Sequence, residues 1–340
     1  MSAVYHFVSK GGSGTHFRSN VVIFGLKLFL KKGEKMGIVV IGTVFVDVKG
    51  FPEDTYIPNG RNAGRVEYVQ GGVARNVVED IANLELRPTF IGTVDESSMG
   101  KDVIDKLARH KVNVNYMKAM PDGMGTWLAL FDHNGEVAGS ISKRPNTYHI
   151  LSILEEYGDE IIKDCDSVIF ELDMHKEVVK KIFELTEKYG KKVYALVSNM
   201  SIAIERRDFL QKLDCFICNE QEAGMLFVDD FTAATPEIMT EILAEKIQAA
   251  NIPAMIVTMA EKGAVYANCH GEKGRIPARK VNVKDTTGAG DAFCAGAMSG
   301  LTYGKKLSEA VQIGTVLSST VITTLDNVCP RFRPEEFGLR

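Results

Sequence analysis

In this 340-residue chain, Asp285-Thr-Thr-Gly-Ala-Gly-Asp291 runs directly into Ala292-Phe-Cys-Ala-Gly-Ala-Met-Ser-Gly300. The second stretch is small and apolar enough for a closely packed buried helix, so the glycine-rich turn opens that helix. Such a turn aims several backbone N–H groups at one point, where the helix dipole also favours negative charge. The result is an anion site. An acid in the same first turn works against a bound phosphate unless it has a chemical task. The task that fits is general base: Asp291 accepts the proton of an attacking hydroxyl while the N–H groups stabilise a transferring phosphoryl group. A bare GxGD run is more simply a tight turn with an Asp cap, so this chemistry needs support from elsewhere in the chain.

A second group of residues lies in the amino-terminal third. Ile38-Val-Val-Ile41 reads as a buried parallel strand, and Asp47 follows at its far end. Ligands of open α/β sheets sit outside the carboxyl ends of strands, so an Asp there can reach substrate hydroxyls; alone, it is more simply a turn residue. Gly71-Gly-Val-Ala-Arg-Asn76 leads into Val77, Val78, Ile81, Ala82 and Leu84 at helical spacing. Two glycines before a helix let a ligand approach the backbone and its free N–H groups, although the pair alone is a weak signal. Arg75 suits a pyrimidine carbonyl, a phosphate or solvent.

The elements that must hold these residues alternate in type. Phe90-Ile-Gly-Thr-Val94 is another strand, and 102–109 a helix with its apolar face at 103, 104 and 107. Strand-like runs recur at 167–170, 192–197, 214–218 and 254–258, with helical segments such as 176–189 and 236–250 between them. That alternation implies a parallel sheet with helices on both faces. Gly125–Phe131 and Glu136–Ile141, joined by Asp132-His-Asn-Gly135, read as a hairpin and hence a small added sheet. No repeat, low-complexity segment or linker marks a boundary, so one α/β domain with a β appendage is expected.

Composition excludes several classes. With 45% hydrophobic and 25% charged residues the chain is an ordinary globular one. A net charge of −4 gives no general reason to bind nucleic acid polymers or anionic membranes. Six cysteines are too sparse for a disulfide scaffold, and Cys215-Phe-Ile-Cys218 lies in an apolar strand-like run, so buried thiols in a cytoplasmic protein are expected. The histidines lack HxxxH and HExxH spacing, which argues against a zinc enzyme.

The apolar run 21–30 is only ten residues long and is interrupted by Lys27, against roughly 20 needed to span a bilayer. Lys31-Lys-Gly-Glu-Lys35 stands where a signal-peptide cleavage site would be. A strand pattern begins directly after Met36, so residues 1–35 are expected to be a mis-assigned start or a non-native extension.

Asp-Thr-Thr-Gly-Ala-Gly-Asp-Ala-Phe293 resembles the carboxyl-terminal signature of the PfkB/ribokinase family of carbohydrate and nucleoside kinases, and Gly71, Gly72 and Asn76 resemble its amino-terminal signature. The resemblance covers about residues 36–336, and the Walker pattern GxxxxGK[ST] is absent. It implies a ribokinase-like three-layer α/β/α sandwich with a mainly parallel sheet and a small β-sheet lid from segments of about 51–70 and 123–142. It also implies Asp291 as base, Gly288, Ala289 and Gly290 as anion hole, and Asp47, Gly71, Gly72 and Asn76 as substrate contacts. Asn219-Glu-Gln-Glu222 resembles the family's Asn-x-x-Glu element, which organises Mg²⁺ and phosphates through water. Thr258-Met-Ala-Glu-Lys-Gly263 resembles the nucleotide-binding strand and turn, with Ala260 where glycine is usual. Asp285 and Thr287 stand where relatives help hold a monovalent cation such as K⁺, and Asn327 where the adenine pocket is lined. A homodimer through the lid is implied as well.

Within the family, Val46-Asp-Val-Lys-Gly50 and Gly71–Asn76 most resemble pseudouridine kinases. Leu196-Val-Ser-Asn199 is similar to a Pro-Val-Ser element of that subgroup with leucine for proline, and Glu171-Leu-Asp173 stands for Asp-x-Asn. The implied reaction is in-line attack of a substrate's primary hydroxyl on the γ-phosphorus of MgATP under a closing lid, giving pseudouridine 5′-phosphate. The alternatives are a ribokinase- or ketohexokinase-like sugar kinase and a catalytically silent sugar- or nucleoside-binding sensor. A nicotinamide-dependent dehydrogenase fails because no GxGxxG follows the first strand.

Overall fold

The computed structural model describes residues 36–339, and the expectation for residues 1–35 lies outside them. In chain order the elements are β1 (Ile38–Ile41), β2 (Phe45–Pro52), β3 (Gly64–Gly71), α1 (Val73–Asn83), β4 (Thr89–Val94), α2 (Ser98–Arg109), β5 (Asn113–Ala119), β6 (Gly125–Phe131) and β7 (Val137–Lys143). There follow α3 (Tyr148–Asp164), β8 (Ser167–Glu171), α4 (Lys176–Tyr189), β9 (Lys192–Leu196), α5 (Met200–Ile204), β10 (Cys215–Asn219) and α6 (Glu220–Phe227). The last third holds α7 (Pro236–Ala250), β11 (Ala254–Thr258), β12 (Ala264–Asn268), β13 (Lys273–Ile276), α8 (Ala289–Thr302) and α9 (Leu307–Val321).

Four consecutive β-branched residues make β1 a strand buried on both faces, and it becomes an inner strand of the main sheet. Strand order there is β13-β12-β11-β10-β9-β8-β1-β4-β5. All neighbours from β11 to β5 pair in parallel, whereas β12 and β13 close one edge as antiparallel strands. Helices cover both faces. One apolar core is filled from α3, α4, α6 and α7, the other from α1, α2, α8 and α9. Cys215 and Cys218, three residues apart on a strand, therefore point into opposite cores, which makes them packing residues rather than a metal or redox pair.

Helix ends follow local chemistry. α4 stops at Gly190, whose φ of 59° is the left-handed cap, and α7 starts at Thr235 with Pro236 in its first turn. The small residues of α8 permit close contact with α9: a Cβ on Gly296 would come within 3.0 Å of the Gly314 backbone. That packing fixes the helix whose amino terminus carries Gly288–Asp291.

β2, β3, β6 and β7 form a separate four-stranded sheet in the order β3-β2-β6-β7. Its register builds two kinds of row. Tyr68, Val48, Leu128 and Ile141 are successive cross-strand partners, and so are Val69, Asp47, Trp127 and Ser142 one residue along. Side chains of neighbouring rows point to opposite faces, so an apolar row and a row carrying Asp47 and Trp127 lie back to back. The small sheet thus begins at Phe45 rather than near residue 51, and Asp47 belongs to its strand β2 rather than to the far end of β1. An Asp within a Val-rich alternating run fits a strand with one wet face.

Candidate active site

Strand order runs one way from β1 through β4 to β5 and the other way from β8 through β9, so the switch point lies between β1 and β8. A crevice at such a point is where open α/β sheets bind ligands. Here Gly42 ends β1 because a Cβ would meet Ala74 Cβ at 2.5 Å and Glu171 Cδ at 2.8 Å. The Glu171 carboxylate, at the end of β8, accepts from the Ala74 N–H at 3.0 Å and from Thr43 Oγ1 at 2.8 Å. It thereby pins the first turn of α1 to the sheet. Burial, reinforced by the nearby charge of Asp173, raises the Glu171 carboxyl to about 7 against the pull of those bonds.

Asp291 sits in the first turn of α8, half-buried at the floor of a cleft of about 490 Å³. Asn76 Nδ2 donates to its Oδ2 at 2.7 Å. The Asn76 amide is oriented by Arg75, whose Nη1 donates to Asn76 Oδ1 at 2.7 Å, and by Asn327 Nδ2 at 3.3 Å. With its oxygen engaged, Asn76 can only donate to Asp291. Surrounding protein shields Asp291 from bulk water and raises its carboxyl to about 6, with the Asn76 bond and the Arg75 charge opposing and Asp47 adding to the rise. Arg75 itself is wholly buried, bonded to Gln70 O and paired with Glu79, so it faces neither substrate nor solvent.

The turn before Asp291 has the shape of an anion site. Gly288 has a φ of 80°, and a Cβ there would fall 2.1 Å from Asn327 O, so only glycine fits. A Cβ on Gly290 would meet nothing within 4 Å, which leaves open space in front of the helix end. Among the described residues, the Gly290 and Asp291 N–H groups make no backbone hydrogen bond, whereas the Ala289 N–H reaches Thr286 O at 3.2 Å. Of the three expected anion-hole residues, Gly290 offers the free donor, and Gly288 shapes the turn.

Across the cleft stands the lid. Asp47, with its carboxyl raised mainly by burial, faces Gly71, where a Cβ would lie 2.8 Å from Asp47 Oδ2. Gly72, with a φ of 102°, passes so close to Thr43 O that a Cβ would approach to 2.7 Å. Asp47, Gly72, Asn76 and Asp291 therefore line one cleft, whereas Gly71 is not among its lining residues. The opposite end of the cleft is made by Trp127, Ser142, Arg144, Ser198 and Asn199. Arg144 Nη2 donates to Asp173 Oδ2 at 2.6 Å, and Asp173 also accepts from Ser198 Oγ at 2.7 Å and Ser198 N at 3.1 Å.

The expected nucleotide-side residues form a second group. Asn219 and Glu222 make the reciprocal capping box of α6, both bonds at 2.8 Å. Burial raises the Glu222 carboxyl, and only one of its oxygens is used by the cap, so the other fits a hard cation or its water. Thr258 is the cross-strand partner of Asn219 at the carboxyl end of β11. Gly263 has a φ of 102° with Ile276 O only 2.2 Å from an added Cβ. Ala260 has a φ of 48°, the left-handed conformation that explains why glycine is usual there. Asp285 Oδ1 accepts from the Thr287 N–H and hydroxyl, both at 2.8 Å. Burial alone would raise the Asp285 carboxyl, but those bonds and Lys49 outweigh it and hold it below the usual range. Asn327 donates to Gln70 O at 2.9 Å, so its side chain is turned toward α1 and the lid.

Sequence reasoning missed Trp127 and Arg144. The only tryptophan of the chain on a cleft-facing alternate position was an available signal. Arg144 carried none, because its partner Asp173 is 29 positions away.

A helix amino terminus with unbonded N–H groups, beside a buried carboxyl and in a cleft bordered by a small sheet, suits phosphoryl transfer to a small hydroxyl compound. The chain belongs to the pfkB family of carbohydrate kinases, whose family model matches residues 35–327. It is 32% identical over 292 residues to the guanosine-inosine kinase of Exiguobacterium acetylicum, covering 85% of this chain and 95% of that protein. Identity to the pseudouridine kinase of Escherichia coli K12 is 24% over 294 residues, or 85% and 91% of the two chains. The structure of Arabidopsis thaliana ribokinase complexed with ribose and ATP superposes with a TM-score of 0.76 at 19% identity, covering 88% of this chain and 96% of that one. That likeness extends the ribokinase-like sandwich and lid to this chain.

Proposed function

We propose that the protein transfers the γ-phosphoryl group of ATP to the 5′-hydroxyl of a nucleoside, with guanosine and inosine as substrates. The observation that carries the reading is Asp291, held by Asn76 at the open first turn of α8 and facing Asp47 across the cleft. Asp47 and Asn76 hold the sugar hydroxyls, Asp291 takes the 5′-hydroxyl proton, and the Gly290 and Asp291 N–H groups meet the charge that develops on the phosphoryl oxygens. The relative named for guanosine and inosine supports a purine nucleoside. The pseudouridine reading is favoured by Val46–Gly50 and the Gly71–Asn76 run, and by a relative of lower identity.

Glu222, through water, is the residue that would hold Mg²⁺, which when bound neutralises phosphate charge. Asp285 and Thr287 would hold K⁺ near the anion turn. ATP would lie along Thr258, Gly263 and the turn between them. Among the described residues no helix is long and apolar enough to cross a membrane.

A turnover assay with ADP detection against guanosine, inosine, pseudouridine, ribose and fructose tests the reading. Fastest turnover of guanosine or inosine is expected. Preference for a free sugar would overturn it, and melting shifts without ADP release would favour the silent sensor.

A further inference from the structure

The lid register lays out a substrate in order. Asp47, Trp127 and Ser142 are cross-strand partners on three adjacent strands, on the face that lines the cleft. Strands are about 4.8 Å apart, so the row spans roughly 10 Å, about the reach from a ribose to the far edge of its base. Asp47 stands at the sugar end near Asp291. Trp127, supported edge-on by Phe131 at 6.5 Å between ring centres, is the flat apolar surface in the middle. Two residues beyond Ser142 comes Arg144.

Arg144 is built to point. One of its terminal nitrogens is fixed by Asp173, which is itself buried and held from the other side by Ser198. The side chain keeps 33% of its surface exposed, at the cleft. Its Nε and Nη1 groups have no acceptor among the described residues. Guanidinium only donates, so the base edge it fits must only accept. The O6/N7 edge of guanine and hypoxanthine does so, whereas adenine pairs an acceptor N7 with a donor amino group.

We propose that Arg144, aimed by Asp173, reads the O6/N7 edge of a 6-oxopurine base stacked on Trp127, and so sets the preference of this kinase for guanosine and inosine over adenosine. This rests on the nucleoside reading above and assigns its base-recognition half. Asp173 is a positioning residue, since it touches Arg144 rather than the base.

The test compares kcat/KM for guanosine, inosine, adenosine and 7-deazaguanosine, which lacks N7, in the wild type and in Arg144→Lys. Lysine keeps a cation for the buried Asp173 but loses the planar fork. The wild type is expected to lose roughly ten- to a hundred-fold from guanosine to 7-deazaguanosine. Arg144→Lys should lower guanosine and inosine turnover by a similar factor while narrowing both that gap and the one to adenosine. The wild-type comparison alone decides the matter if the variant does not fold. Equal use of guanosine and 7-deazaguanosine, or gaps unchanged in a folded Arg144→Lys, would overturn the assignment and leave the nucleoside reading intact. A wild type that phosphorylates only free sugars would remove both.

Discussion

The amide of Asn76 donates to the carboxylate of Asp291 at 2.7 Å, joining the first turn of α1 to the first turn of α8. Each partner is fixed from behind. Arg75 and Asn327 occupy the amide oxygen, and the packing of α8 on α9 holds the helix that carries the acid. The amino-terminal turns of α1 and α8 thus meet at one bond beside the cleft.

Asp291→Asn should keep the fold and nucleotide binding but lower kcat by about a hundred- to ten-thousand-fold, the usual worth of a general base. With the wild-type carboxyl at about 6, kcat/KM should fall as pH drops below that value and level off above it. The folded-state value lies above the unfolded one, so the protonated form favours folding and stability declines as pH rises toward 6. Asp291→Asn should therefore gain stability over the wild type at pH 8 and less at pH 4, measured by denaturant unfolding. A flat pH profile of kcat/KM in the wild type between 5 and 8 would rule out the base role.

The anion turn separates shape from chemistry. Gly288→Ala forces a Cβ onto Asn327 O in a left-handed conformation and should cost at least about 2 kcal/mol of stability. Gly290→Ala adds a methyl to open space within a helix, and should stabilise by up to about 1 kcal/mol while kcat/KM drops. Unaltered turnover in Gly290→Ala would show that no phosphoryl group uses the space before this helix end.

Legibility of the chain followed the distance over which each feature is encoded. β1, α4, α7 and β11 lie where apolar periodicity puts them, because burial of one face repeats within a few residues. Asp291 and its glycines form one run, so their chemistry was readable together. Asp47 stands out at the far end of β1, but the strand β2 that carries it is not legible, since a lid strand with one wet face lacks a continuous apolar run. Arg75 left three readings open, and the structure chose none of them: a buried partner, Glu79, lies one helical turn away. The Arg144, Asp173 and Ser198 cluster joins three elements distant in sequence; Asp173 and Ser198 stood out only as members of runs departing from a subgroup pattern.

Ala260 carries a φ of 48° in the turn that follows β11. An L-residue held there costs about 1–2 kcal/mol, and glycine gives back about 0.4–1 kcal/mol through unfolded-chain entropy. Ala260→Gly should stabilise the protein by about 0.5–1 kcal/mol in denaturant unfolding. Destabilisation would mean that the methyl group packs favourably enough to offset the backbone strain.

The outer face of the lid asks for a partner. Tyr68, Leu128 and Ile141 are linked through Val48 as one cross-strand row, and Val66 and Leu130 flank it through Gly50. Tyr68 is 66% and Ile141 69% exposed, although the opposite face of the same sheet is used by the cleft. A contiguous exposed apolar face suits an interaction surface, and a second copy of the same lid offers a self-complementary one. We propose a homodimer with the two lids face to face. Light scattering after gel filtration should give twice the chain mass for the wild type and the monomer mass for Tyr68→Glu combined with Ile141→Glu. These side chains point away from Asp47 and Trp127, so any rise in KM of the double variant would report lid mobility rather than lost substrate contacts. A monomeric wild type at micromolar concentration would refute the pairing.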